Sequence, residues 1–136
     1  MQTAIEFRNI KKSYGDKIIM EGFSLAVEKG AFVTIIGSSG CGKTTALKMV
    51  NGLIEPTAGD ILVDGEPIRG KNQTELRRNI GYAIQGSVLF PHMTVEQNIA
   101  YVPSLLNRRD RARTRAAVSK WMQIVGLDEG LKNRYP

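Results

Sequence analysis

The chain has 136 residues, 42% hydrophobic and 24% charged, an ordinary balance for one globular domain with room for a sizeable core. No apolar run approaches the roughly 20 residues of a membrane span, and the opening Met-Gln-Thr-Ala-Ile-Glu-Phe lacks the basic region and apolar core of a signal peptide, so neither is expected. The single cysteine, Cys41, excludes an internal disulfide and suits a reducing cytoplasm, while the net charge of +6 raises the question of nucleic acid or lipid partners.

In chain order, Ile5 to Ile10 alternates apolar and polar residues and reads as a strand. Lys11 to Lys17 forms a turn around Tyr14-Gly15-Asp16. Ile18 to Val27 carries one or two strand pieces, broken near Glu21-Gly22. Glu28-Lys29-Gly30 turns the chain into Ala31 to Ile36, a β-branched apolar run that reads as a buried strand.

The next stretch is Gly37-Ser38-Ser39-Gly40-Cys41-Gly42-Lys43-Thr44-Thr45. It matches a glycine, four free positions, then Gly-Lys-Thr, the pattern that cradles phosphates. Glycines let the backbone approach an anion where a side chain would collide. Successive N–H groups then point inward as a nest, and the following helix adds its free N–H groups and the positive end of its dipole. Lys43 brings a full charge to the outer phosphates, and Thr44 offers a hydroxyl to Mg²⁺. Cys41 fills a free position of the pattern; a thiol reagent there could block the loop. Thr44 to Val50 reads as the helix, stopped near Gly52.

Glu55 to Asp60 is a dense turn signal, Ile61-Leu62-Val63 a short strand, and Asp64-Gly65 a hairpin turn into Pro67-Ile68. Glu75 to Asn79 can make a turn or two of helix. Ile80 to Gln85 reads as another strand with Gln85 at its end, followed by a loop from Gly86 to Met93. Thr94 with Gln97 forms a capping box, so a helix starts there and runs to about Tyr101, where Pro103 interrupts it. A longer helix is expected from about Asp110 to Val125, with Val118, Trp121, Met122 and Val125 on its core face.

Arg108, Arg109, Arg111, Arg113, Arg115 and Lys120, less Asp110, carry a net +5, so nearly all the excess charge sits in this segment. These residues spread around the helix axis instead of sharing one face. A solvated helix surface fits that pattern, as does contact with anionic lipid headgroups or an acidic partner; nucleic acid is not expected.

Several separated motifs resemble the ATP-binding subunit of an ABC transporter. They are Lys12-Ser-Tyr-Gly15, the phosphate loop, Gly52-Leu-Ile-Glu-Pro-Thr-Ala-Gly-Asp-Ile61, Val63-Asp64-Gly65, the strand ending in Gln85, and Leu89-Phe-Pro-His-Met-Thr-Val95. The resemblance spans essentially the whole chain. It implies an α/β fold: a three-layer, RecA-like P-loop NTPase core, an antiparallel β subdomain, and part of a helical subdomain. Residues 1–88 would hold the β subdomain and phosphate-loop core, and residues 89–136 the start of the helical subdomain. It implies ATP and Mg²⁺ as ligands. Tyr14 matches the aromatic that stacks on adenine, and Gly37, Ser38, Ser39, Gly40, Cys41, Gly42, Lys43, Thr44 and Thr45 match the loop around the triphosphate. Lys43 and Gln85 match residues that act in catalysis, Thr44 and Gln85 those that reach Mg²⁺. The only histidine, His92, matches a structural or partner-facing position.

Finer similarity lies with importers of glycine betaine, carnitine, choline or proline. It rests on Leu47 to Thr57, Arg77 to Gln85, Asn98 to Leu106 and Arg134-Tyr-Pro136. The resemblance implies integral membrane permease partners, a second ATP-binding subunit, an indirect link to a substrate-binding protein, and a place on the cytoplasmic face of the membrane. In the family Arg-Tyr-Pro runs into the signature Leu-Ser-Gly-Gly-Gln. Here Pro136 is the last residue, so the chain is expected to be the N-terminal part of a longer subunit, inactive in hydrolysis by itself and with apolar surface left exposed. Two other readings stand beside this one: a non-transport ABC ATPase acting on nucleic acid, and a non-catalytic nucleotide-binding fragment.

Overall fold

β1 (Thr3–Tyr14) and β2 (Lys17–Glu28) form a long antiparallel hairpin closed by the two-residue turn Gly15-Asp16. β1 pairs on its other edge with β3 (Ala58–Val63), and β3 pairs with the short β4 (Glu66–Pro67), giving the order β2-β1-β3-β4. The structure, a computed structural model, describes residues 2–86, 88–107 and 110–136. Arg108 and Arg109 of the basic segment, and Ser87 of the loop after Gln85, therefore lie outside the described residues. The chain divides into two units, Met1–Tyr82 and Ala83–Pro136.

In the first unit β1 is longer than its alternating pattern predicts, and irregular. Asn9 has φ 47°, and the register with β2 shifts between Phe7 and Ile10. The bulge explains how Phe7 and Ile10, three residues apart, both enter the core, which strict alternation forbids. The expected break near Gly22 (φ 68°) is likewise an irregularity within one strand. Gly59 is held against the carbonyls of Arg8 and Asn9; a Cβ there would lie 2.5 Å from both oxygens. Asp64 and Gly65 both have positive φ, which suits the β3–β4 turn.

α1 (Lys43–Val50) packs its Ala46, Met49 and Val50 onto Phe7, Ile10 and Ile61, and α2 (Gln73–Arg78) adds Leu76. α1 ends in a Schellman turn: Gly52 (φ 61°) donates to Met49 O, and Leu53 donates to Lys48 O. The Arg77 guanidinium donates to the carbonyls of Asn51 and Gly52 just beyond it, at 3.0 Å each. A cation therefore meets the negative end of the helix dipole.

Two expected strands do not form. Ala31 to Ile36 and Ile80 to Gln85 carry no strand pairing, and Phe32 and Ile36 are 96% and 88% exposed. The apolar pattern is real, but a strand is a pairing, and a doubly buried one needs neighbours to bond its N–H and C=O groups. Among the described residues no segment pairs with either. The only sheet described is the antiparallel one. An apolar groove of about 570 Å³, lined by Leu25, Val33, Ile35 and Leu47 among others, runs beside Lys43 and Thr44.

The second unit holds α3 (Val95–Leu106), α4 (Arg111–Ile124) and a short 3-10 turn at Glu129–Leu131. α3 does not stop at Tyr101; it passes through Pro103. Proline removes one N–H donor, but the helix continues beyond it: Ser104 Oγ donates to Tyr101 O at 2.7 Å, and Asn107 N–H reaches Pro103 O at 2.8 Å. In α4 only half of the expected core face is buried. Val118 and Met122 are buried, while Trp121 and Val125 are 49% and 63% exposed. The four residues fall on one stripe, but the packing against α3 covers only part of its width.

Candidate nucleotide-binding site

Gly40 (φ 82°) and Gly42 (φ 98°) occupy backbone conformations that favour glycine. They bend the loop into the cap of α1, Gly42, whose carbonyl accepts Ala46 N–H at 2.8 Å. Gly42 is also buried against the hairpin. A Cβ there would meet Met20 Cε at 3.2 Å and Ile19 Cγ2 at 3.3 Å. Gly37 is glycine for room alone: a Cβ would lie 2.6 Å from Cys41 Sγ. The exposed Cys41 thus has its Sγ beside Gly37, across the loop's curve.

Lys43 turns back over the loop. Its Nζ donates to the carbonyls of Gly37 and Ser38 at 2.7 Å each and lies 3.5 Å from Cys41 Sγ. The ammonium is thus directed into the same curve that the glycines form. Ser38, Ser39 and Thr44 are exposed, and Thr45 is half-buried. α1 carries no side-chain cap and no acidic residue in its first turn. Its N-terminal end is therefore positive, with no carboxylate to repel an anion.

Tyr14 closes β1 opposite Lys17, at 51% exposure. The same hairpin presents Ile19 and Met20 to Gly42, so the tyrosine and the phosphate loop belong to one packed unit. Lys12 Nζ sits 4.7 Å from the Tyr14 ring centroid. Gln85 belongs to the second unit, exposed in a bend. There the following loop is tied to α3 by Asn98. Its Oδ1 accepts Phe90 N–H at 2.8 Å, and its Nδ2 donates to the carbonyls of Phe90, Met93 and Thr94 at 3.0–3.1 Å. The exposed His92 ring stands edge-on to Phe90, their centroids 5.9 Å apart. In the sequence Lys12 and Asn98 stand only as members of matched stretches; their bonding partners, which give them a role, appear with the fold.

Mg²⁺ bound beside a nucleotide keeps several waters and takes one or two protein donors plus phosphate oxygens. Thr44, exposed in the first turn of α1, fits that sparse donor set. No group of three or more His, Cys, Asp or Glu that could cage an ion exists among the described residues.

A family model described as ABC transporter matches residues 20–135. The chain is 45% identical over 138 residues to a choline transport ATP-binding protein of Bacillus subtilis, covering 97% of this chain and 35% of the relative. It is 44% identical over 132 residues to a glycine betaine uptake system ATP-binding protein of Escherichia coli, covering 97% and 42%. Among solved structures, a dimeric ATP-binding cassette in a post-hydrolysis state bound to ADP and Pi superposes with TM-score 0.77 at 28% identity, over 97% of this chain and 61% of that one. The structure of cbiO1 from Clostridium perfringens, part of the ABC transporter complex cbiONQ, superposes with TM-score 0.88 at 24% identity, over 99% and 55%, a likeness of fold. The chain thus spans 35–42% of the length of these curated relatives.

Proposed function

The chain belongs to the ABC transporter family, and we propose that it binds Mg²⁺ and ATP through its phosphate loop as part of an ATP-binding subunit that powers solute uptake. Its fold is that of ABC ATPase domains, and none of its helices is long and apolar enough to cross a membrane among the described residues. The observation that carries the reading is the Lys43 ammonium, 2.7 Å from two loop carbonyls at the start of a helix without a side-chain cap. Phosphate oxygens can replace those carbonyls and gain charge-assisted hydrogen bonds. In this reading Gly37 to Thr45 wrap the β- and γ-phosphates, Thr44 holds the metal, and Tyr14 stacks on the base. Mg²⁺ when bound neutralises charge on the phosphates. Gln85 would orient water or touch the metal. Residues 1–88 serve as β subdomain and phosphate-loop core, and 89–136 begin the helical subdomain.

Hydrolysis needs several groups positioned at once. We assign it to a longer subunit paired head-to-tail with a second one, coupled through Gln85 and Leu89 to Val102 to a membrane permease at the cytoplasmic face. The named relatives support a quaternary-amine cargo such as choline or glycine betaine. They do not favour the nucleic-acid alternative.

The test is titration of Mg·ATP into the purified 136-residue chain. Lys43→Ala should weaken binding roughly 10- to 100-fold, the weight of about one charge-assisted hydrogen bond. Equal affinity of the two proteins would remove the phosphate-loop reading. Turnover by this chain should be negligible; robust Lys43-dependent hydrolysis would show that it carries the whole reaction.

A further inference from the structure

The end of β1 is stitched to a turn far away in sequence. Lys12 Nζ donates to Glu55 O at 2.8 Å, Ser13 N–H to Thr57 Oγ1 at 3.1 Å, and Thr57 N–H to Lys11 O at 2.8 Å. Tyr14 comes next, at the hairpin tip. About half of the Tyr14 surface is open to solvent. Lys12 supplies a hold: its ammonium lies 4.7 Å from the ring centroid while its proton is shared with Glu55 O. A cation at that distance is attracted to the negative ring face.

We infer that Lys12 is a positioning residue for base recognition: it covers one face of the Tyr14 ring and, anchored to the Glu55 carbonyl, sets the ring so that the opposite face receives the nucleobase. This rests on the nucleotide reading above. Two features support it. The ammonium is tethered, so it fixes a ring orientation instead of following the ring. The Glu55–Thr57 turn that tethers it is itself bonded to β1, so the platform moves as one piece with the hairpin that packs on Gly42. Sandwiching between a cation and a base uses both faces of one ring, and the base is recognised by stacking with no contact of its own to Lys12.

The experiment compares Mg·ATP with magnesium tripolyphosphate, which has the phosphates but no base. Lys12→Met keeps the stem and removes the charge. It should raise the Kd for ATP about three-fold and leave that for tripolyphosphate unchanged. Lys12→Arg should restore ATP binding, because a guanidinium also stacks on the ring. Tyr14→Ala should raise the Kd for ATP about ten-fold or more, and adding Lys12→Met to it should change nothing further, because Lys12 acts through Tyr14. Three outcomes overturn the inference: unchanged ATP binding in Lys12→Met, an equal loss for tripolyphosphate, or additive losses in the double variant. Tyr14→Ala binding ATP normally would instead remove the stacking role of Tyr14. Failure of the unaltered chain to bind tripolyphosphate would remove the phosphate-loop reading itself.

Discussion

Two helix starts in this chain are built in opposite ways. α3 has a capping box and an acidic first turn. Thr94 Oγ1 accepts Gln97 N–H, Gln97 Oε1 accepts Thr94 N–H, and Glu96 puts a negative charge in the first turn. The N–H groups of Val95 and Glu96 are taken by the carbonyls of Arg134 and Lys132. α1 has none of this: its cap is Gly42, without a side chain to accept a bond. A capped start spends its donors on the protein; a bare one keeps them for an anion. On the proposed function, the difference separates a helix end that contributes stability from one that would contribute binding.

The comparison can be broken first at Gly42. Gly42→Ala forces a β-carbon onto φ 98° and against Met20 and Ile19. It should destabilise the first unit by about 1–3 kcal/mol, the range for a strained backbone site, and weaken nucleotide binding with it. Urea unfolding followed by far-ultraviolet circular dichroism reads the effect. A variant as stable as the parent would mean that the loop does not need glycine there.

At the other start Asn98→Ala removes the amide that accepts from Phe90 N–H and shares its two N–H donors among the carbonyls of Phe90, Met93 and Thr94. We expect a loss of about 1–3 kcal/mol, because the loop carbonyls and Phe90 N–H lose a shared partner. Trp121, the only tryptophan, lies in α4 and reports unfolding of this unit by fluorescence. Thr94→Ala should cost less, about 1 kcal/mol for a lost cap. Neither variant should alter binding of tripolyphosphate; a change there would erase the division between a stabilising start and a binding one.

The smallest effect lies outside both helices. Glu6 accepts two bonds from Arg8 at 2.8 Å, and that pairing holds its carboxyl below the ordinary carboxylate range. Its folded pKa is thus lower than its unfolded one. The stabilisation is present above the unfolded value and is lost as pH falls through the folded value. Arg8 is exposed and Glu6 half-buried, and solvent still screens the pair, so Glu6→Gln should only slightly flatten the acid limb of a stability–pH curve, and 0.5 M salt should remove the difference.

Local chemistry was legible from residue types. The glycine-lysine-threonine loop, the Thr94–Gln97 box and the Asp64-Gly65 turn each depend on a few neighbouring residues, and the fold keeps all three. The helix read from Thr44 starts one residue earlier, at Lys43. Pairing was not legible. Ala31 to Ile36 has the composition of a buried strand, yet its ladder would have to come from a distant segment, and none of the described residues supplies one. The bulge at Asn9 likewise hides from an alternation count.

By itself, then, the sequence determined the residue pattern of the phosphate loop and its place between an apolar run and a helix. Phosphate recognition depends on backbone freedom and charge over a few consecutive residues, and such features are written locally. Only the tertiary structure decided that Ile19 and Met20 close on Gly42, that Glu55 tethers Lys12 beside Tyr14, and that Asn98 gathers the loop before α3. Each joins groups that only the folded backbone brings within a few ångströms, and hydrogen bonds and van der Waals contacts act only at that range.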